Sequence, residues 1–361
     1  MPFYNSQDLK ELAIDSDLRF VQNELSDCFL IDNKELSVFI LNADNPYPTD
    51  ASTLKLLNSN KFDIIIHPVF THPWEFDYLK EHIQTYNIQL PWAQLTWNDK
   101  LVGDNYLICN YWATNLSDMI YTWGQEKYTT NNNHYRQYLF SCLNGVAKAH
   151  RTTILYHLYC NNYLQNNLVS MSDVYLTSPT STAQNLSFDL IKEDVKEFLH
   201  YGVNDNTFVK FYEMLPITCP QETNTRIPFW EHDAYTNAWI NIATEHDFAT
   251  NFVSEKSIKP FLTEQLAIFV AGPGTVERLR SLGLDVFDDI IDHSYDRELD
   301  PVLRFEKIFR LIDQLSKQDW PKIYQYTQER REKNRNFLLS GKLIAELRQN
   351  LIKSINTLVH S

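Results

Sequence analysis

No stretch of about 18 uncharged apolar residues occurs in the chain, which argues against a membrane-spanning helix. The N-terminus, MPFYNSQDLKELAIDSDL, is polar and acidic and has no apolar signal region, so a cytoplasmic location is expected. Cysteine is sparse. The five residues Cys28, Cys109, Cys142, Cys160 and Cys219 are scattered and show no CxxC spacing. Reduced core thiols are expected, with neither a disulfide framework nor a zinc site, and the sequons at Asn115 and Asn185 then mean little. A basic excess is missing too. With a net charge of −14, general binding to duplex phosphates is disfavoured, although a local basic cleft stays open. Neither GxGxxG nor GxxxxGK[ST] is present, so dinucleotide and ATP readings lack their strongest signature. Internal repeats and low-complexity tracts are absent as well.

What the chain has is length and apolar material. At 361 residues, 43% hydrophobic and 14% aromatic, it suits two domains with packed cores. The polar run Gln125 to His134, with three consecutive asparagines, reads as a linker. The expected organisation is an α/β domain over 1–130, a Rossmann-like domain over 131–320 and a basic helical segment over 321–361. In the first part, LSVFIL at 36–41 and KFDIIIH at 61–67 read as buried parallel strands, with part of a crossover helix at 53–57. Helices are expected at 8–14 and 74–86, and less regular strands at 89–97 and 105–112. In the second part, Tyr138 to Leu143 reads as a strand, Asn144-Gly145 as a turn, and a helix opens at His150 and runs to about Leu164. Residues 177–185 read as a polar loop and 189–201 as a helix. Strands follow at 238–243, 267–270 and 284–287, with helices from Ser254 and from Thr275, the latter ended by Gly283. Beyond Asp300 the pattern is helical, with Phe305, Ile308, Leu311, Ile312 and Leu315 on one face and a break at Pro321.

Three loops of this second part carry residues suited to chemistry. Ser254 suits a helix N-cap, and the N–H groups behind it make an anion site that Lys256 would reinforce, while Glu255 could accept from sugar hydroxyls. A capped helix with a solvated Glu–Lys pair explains the same residues. Ala271-Gly272-Pro273-Gly274 follows a buried strand, where glycine lets main chain approach a ligand closely or simply makes a tight turn. Arg151 at a helix start opposes the helix dipole unless an anion accompanies it, so it is either a phosphate clamp or the partner of a local carboxylate. Thr244-Glu245-His246-Asp247 follows a strand and could hold ribose or sugar hydroxyls.

At this point a family resemblance emerges. Phe252 to Lys256, then Ile258-Lys259-Pro260, then Phe269 to Gly272 resembles the donor-binding segment of fucosyltransferase-like GT-B glycosyltransferases, which carry (V/I)TEK before an apolar strand ending in glycine. Ser141, Asn144 and Arg151 match that family's strand–Ser–x–x–N…R entry, and Thr244-Glu245 echoes its FEN element. Serine stands at 254 where threonine is usual, which keeps the hydroxyl. The longer run, including GLDVFDDIIDHSYD, is similar to glycosyltransferases of large bacterial and algal viruses, and the resemblance spans about residues 136–312. It implies an α/β, GT-B-like fold: two Rossmann-like domains facing a cleft, with C-terminal helices. It further implies a nucleotide-diphosphate sugar as co-substrate, no other cofactor, and host cytoplasm as the location if the protein is viral. Lys256 and Arg151 would hold the donor diphosphate and Glu255 the ribose or sugar, with Asn144, Glu245, Ser254 and Gly272 around them.

The same resemblance implies metal-independent transfer with inversion. Asp15-Ser16-Asp17, the one Asp-x-Asp, looks like a helix boundary and is a poor metal ligand. An inverting transfer needs a general base on the acceptor hydroxyl. Asp44 and His67, at the ends of first-domain strands, are candidates; an ordinary turn aspartate and a strand-terminal histidine before proline explain them more simply. The acceptor would be a glycan or a hydroxymethylated DNA base, the latter needing a basic cleft for which the C-terminal tail is the obvious source. A non-catalytic sugar-nucleotide-binding or assembly protein of the same fold is the alternative. The sequence sets no oligomeric state.

Overall fold

The computed structural model describes residues 136–171, 174–175, 184–185, 187–200, 202–219, 233–246, 248–343 and 346, together with Gln84 and six earlier strands. The chain divides into two compact units, Met1–Ser117 with Lys342–Ser361, and Asp118–Gly341.

In the first unit the strands are β1 (Arg19–Gln22), β2 (Phe29–Asn33), β3 (Leu36–Ile40), β4 (Ile64–Pro68), β5 (Trp92–Thr96) and β6 (Tyr106–Ile108), in that order across one sheet. β1 to β3 pair antiparallel and β3 to β6 pair parallel. The two apolar runs expected as parallel neighbours are β3 and β4, with Val38 opposite Ile64. The antiparallel pair β1–β2 has no counterpart in the sequence reading: RFVQ is too short and mixed to show a period of two. His67 lies in β4, opposite Gln94. Asp44, the expected helices at 8–14 and 53–57, and all of 74–86 except Gln84, which is helical, lie outside the described residues.

In the second unit the elements are β7 (Tyr138–Asn144), α1 (Ala149–Cys160), β8 (Leu168–Met171), β9 (Val174–Tyr175), β10 (Gln184–Asn185), α2 (Phe188–Glu197), α3 (Asp205–Glu213) and α4 (Asp233–Thr236). They continue with β11 (Ala238–Thr244), α5 (Glu255–Leu262), β12 (Leu266–Val270), α6 (Thr275–Ser281), α7 (Pro301–Leu315), α8 (Trp320–Tyr326) and α9 (Gln328–Leu339). A four-stranded, wholly parallel sheet runs β12-β11-β7-β8. Every residue of β11 and β12 is buried, as a parallel sheet covered on both faces requires.

The chain leaves β7 toward β8 and later leaves β11 toward β12, in opposite directions across the sheet. Right-handed crossovers of that kind put α1 and α5 on opposite faces. α1 packs against α2 and α3, and α5 against α9. α1 is buried from His150 to Leu158, so it shows no apolar stripe; Thr152 and Thr153 satisfy their hydroxyls on the carbonyls of Lys148 and Ala149 at 3.1 and 2.8 Å. Phe305, Ile308, Leu311, Ile312 and Leu315 of α7 are all buried, with Asp300 as N-cap.

The expected strand at 284–287 does not form. The main-chain N–H of Asp285 donates to Asn334 Oδ1 at 2.9 Å and its carbonyl accepts from Asn334 Nδ2 at 2.7 Å. A side chain of α9 thus takes the place of a neighbouring strand. The Phe287 N–H turns back to Asp285 Oδ1 at 2.9 Å, and Phe287 itself has φ of 64°, which no strand accommodates. Gly283, at φ 87°, ends the α6 region as its composition suggests.

At the amino ends of the strands, Arg136 gathers the sheet. Its guanidinium donates to the carbonyls of Tyr235, Ala238 and Thr263 and to the Tyr324 hydroxyl, at 2.7–2.9 Å. Nearby, Arg331 pairs with Glu264 at 3.1 Å, and Arg335 holds the other oxygen of the same carboxylate. Arg330 binds Asp285 and Asp289, each through two nitrogen–oxygen contacts of 2.6–2.9 Å. Three cations of the basic C-terminal segment are therefore held in ion pairs within the unit.

Candidate functional site

Open α/β sheets bind ligands outside the carboxyl ends of the strands, where connections to adjacent strands run in opposite directions. Here that point lies between β7 and β11. It is built from two segments about a hundred residues apart: 144–151 after β7, and 244–256 after β11.

The two segments are stitched together directly. The Thr244 hydroxyl donates to Asn144 Oδ1 at 2.5 Å, and Asn144 Nδ2 reaches the Ser170 carbonyl on the far side at 3.3 Å. Deeper in the sheet, Asn241 Nδ2 donates to Ser141 Oγ at 3.1 Å. Two cationic or imidazole groups from α1 end on one carbonyl: His150 Nε2 lies 2.9 Å and an Arg151 nitrogen 3.0 Å from the Glu245 main-chain oxygen. The other terminal nitrogen of Arg151 donates to the Val146 carbonyl at 2.9 Å. The Arg151 side chain is 4% exposed. Burial depresses its pKa, opposed by the charges of Glu245 and the Cys142 and Glu255 side chains. Burial also holds His150 well below the usual imidazole range, reinforced by Arg151, so it is neutral; because it faces a carbonyl, it carries its proton on Nε2. Lys148, the N-cap residue of α1, offers no side-chain cap; its ammonium reaches His246 Nε2 at 3.1 Å and the His246 carbonyl at 2.8 Å. An ammonium only donates, so His246 presents a lone pair at Nε2.

The carboxylate of Glu245 faces the other way, into α5, and is 0% exposed. Oε1 accepts the Ser254 N–H at 2.8 Å and the Ser257 hydroxyl at 2.5 Å; Oε2 accepts the Ser254 hydroxyl at 2.6 Å and the His246 N–H at 3.2 Å. Ser254 caps α5 as its position suggests, its Oγ accepting the Lys256 N–H at 3.2 Å. Beyond the cap, the side chains of Glu255 and Lys256 are 25% and 33% exposed and pair at 3.2 Å. Burial pushes Glu255 up, but Lys256 and Lys259 outweigh it and leave the carboxyl below its ordinary range. Lys259 is itself lowered by burial, against the pull of Glu255 and Glu245.

The glycine turn after β12 meets protein rather than open space. A Cβ on Gly272 would lie 1.9 Å from the Thr250 carbonyl oxygen, so this glycine exists where two main-chain segments touch. The N-terminus of α6 is occupied by Asp296, whose carboxylate accepts the N–H groups of Val276 and Glu277 at 2.9 and 3.0 Å. Two further arginines brace the loop after β11, Arg304 on the Phe248 carbonyl and Arg278 on the Asn251 carbonyl, both at 3.2 Å.

A solved structure described as "Crystal Structure of alpha1,3-Fucosyltransferase" is similar to this chain over 76% of its length and 78% of that chain's, at 12% sequence identity and a TM-score of 0.28. No family model and no curated protein matches the chain.

Of the residues singled out in the sequence, Asn144, Arg151, Glu245, Ser254, Glu255 and Lys256 come together at the switch point. Gly272 contacts the same loop through Thr250, and Asp247 lies outside the described residues. Ser257 and Lys148 escaped the sequence reading, and Lys259 was noted there only as part of the resembling segment. Ser257 had a signal: it stands three residues after the cap, where a helix returns to the same face. Among the described residues, no group of three or more His, Cys, Asp or Glu side chains is placed to hold a metal ion, and no helix is long and apolar enough to cross a membrane.

Proposed function

We propose that the chain is a glycosyltransferase that binds a nucleotide-diphosphate sugar at the β7–β11 switch point and passes the sugar to an acceptor hydroxyl, with inversion and without a metal. One observation carries the reading. The two segments that resemble the donor-binding elements of fucosyltransferase-like enzymes, 141–151 and 244–256, are bonded to each other through Asn144–Thr244 and Arg151–Glu245. In this reading Lys256 takes the diphosphate, with the positive end of the α5 dipole and Arg151 adding charge from behind, and Glu255 takes ribose or sugar hydroxyls. The cations and the helix dipole then stabilise the leaving diphosphate. Asp44 or His67 supplies the general base. Arg330, Arg331 and Arg335 are engaged with carboxylates, which leaves fewer cations of the basic segment for a modified DNA base as acceptor.

The test is thermal unfolding with ADP, CDP, GDP, UDP and their common sugar conjugates. A ligand at 100 times its dissociation constant adds about 2.7 kcal/mol, which for a unit of this size raises the melting temperature by roughly 5–11 °C. At least one nucleotide should do so with the wild-type chain and fail with Lys256→Ala. Absence of any shift at millimolar nucleotide would overturn the proposal.

A further inference from the structure

We infer that Glu245 is a positioning residue: its buried carboxylate fixes the α5 N-terminus, and hence Glu255 and Lys256, without touching a ligand. The inference rests on the proposed nucleotide site for its consequence, though its geometry stands alone.

Each oxygen of Glu245 accepts one main-chain N–H and one hydroxyl: Ser254 N–H and Ser257 Oγ on Oε1, His246 N–H and Ser254 Oγ on Oε2. Four donors occupy the carboxylate, and the side chain has no exposed surface. Because a carboxylate only accepts, the Ser254 hydroxyl has to donate to it. That fixes the direction of the hydroxyl and leaves its lone pairs for the Lys256 N–H at 3.2 Å. The order carboxylate, hydroxyl, Lys256 amide is a relay that sets the first turn of α5. The same residue's main-chain carbonyl accepts from His150 and Arg151. Glu245 therefore ties the start of α1 to the start of α5.

The relay makes a sharp forecast for Glu245→Gln. A main-chain N–H cannot reverse its polarity as a hydroxyl can. Since both oxygens accept an N–H, either orientation of the glutamine amide sets its NH2 group against one of them. Either the Ser254 or the His246 N–H must then lose its acceptor. Ser257→Ala removes a single bond and leaves the carboxylate in place.

Two measurements test this together. Amide hydrogen exchange without ligand should show faster exchange at 246 or 254–257 in Glu245→Gln, with protection in β7 and β12 unchanged. Calorimetry should be run with whichever of ADP, CDP, GDP or UDP gives the largest thermal shift. Its affinity should fall at least about tenfold in Glu245→Gln, and less in Ser257→Ala. Adding Glu245→Gln to Glu255→Ala should cost less than the sum of the two single losses, since the residue acts in part through Glu255. Additive losses would mean direct contact with the nucleotide and would overturn the positioning role. So would unchanged exchange at both 246 and 254–257. If no nucleotide binds the wild-type chain, the proposed function fails, while the exchange result still decides the role of Glu245 in setting the helix start. Should Glu245→Gln fail to fold, Ser257→Ala carries the same two readouts at smaller amplitude.

Discussion

Substituting Gly272 by alanine asks whether the glycine turn serves main-chain packing. The added Cβ would stand 1.9, 2.3 and 2.6 Å from the carbonyl oxygen, carbonyl carbon and nitrogen of Thr250. Ordinary carbon contacts lie near 3.5 Å, so one of the two segments has to retreat by roughly 1.5 Å. Neither can do so cheaply. The Thr250 segment is held by Arg304 on Phe248 and Arg278 on Asn251. The turn is held by the Gly274 N–H on the Asp296 carbonyl at 2.8 Å and by Thr275 Oγ1 on the Gly272 carbonyl at 2.8 Å. Overpacking of this severity costs about 3 kcal/mol, the upper part of its usual range. For a unit of this size that is a fall in melting temperature of roughly 6–12 °C. Gly145→Ala is the matched control. Nothing lies within 4 Å of its added Cβ, and Gly145 is exposed. Restricting the unfolded chain there should leave stability unchanged or raise it by about 0.4–1 kcal/mol. Both variants can be compared by circular dichroism on heating. A Gly272→Ala protein that melts within about 2 °C of wild type would refute the packing account.

Glu264→Gln removes the charge that faces Arg331, which is 2% exposed, and Arg335. It should cost about 2–3 kcal/mol in urea unfolding, less than full loss of a buried ion pair because the Glu264 main-chain carbonyl and Tyr324 still accept from Arg331. Stability should also fall with acid. His157, stacked on Phe309 at 4.0 Å, has its pKa lowered to about 4 by burial, with Asp313 opposing. The unfolded chain then binds the extra proton between about pH 6.5 and pH 4. The contribution is present above 6.5 and is lost as pH falls toward 4, with a slope of up to about 1.4 kcal/mol per pH unit. His157→Phe keeps an aromatic ring against Phe309 and should flatten that slope by about one proton; an unchanged slope would assign the titration elsewhere.

Three strands of the parallel sheet, β7, β11 and β12, were legible from their largely apolar runs, as in LAIFV at Leu266–Val270, whereas the short β8, LVSM at Leu168–Met171, was not read. Helix starts were legible where a capping residue announced them, as at Ser254 and Asp300. The failure at 284–287 has a different source. LDVF has the residue types of a strand, and the side chain of Asn334, some fifty residues later, together with the turn-back of Phe287 onto Asp285, decides otherwise. At the site, the residue types were readable and their directions were not. Glutamate after a strand suggests a group offered to a ligand; which way the carboxylate turns depends on Ser254 and Ser257, which enter from another element. Gly272 was readable as a place of close approach, while what approaches it, Thr250, was set by tertiary packing.

The bonds of Arg136 also set a schedule for synthesis. Its acceptors lie 99, 102, 127 and 188 residues further along the chain. At typical ribosomal rates of about 5–20 residues per second, the strand that follows Arg136 waits roughly 5–20 seconds for β11 to be made, and longer for Tyr324. β8 can cover one edge of β7 soon after α1 is complete, whereas the other edge stays open through that interval. The nascent chain therefore carries an unpaired, largely apolar strand edge until its central neighbour arrives, an edge open to misassembly throughout that interval.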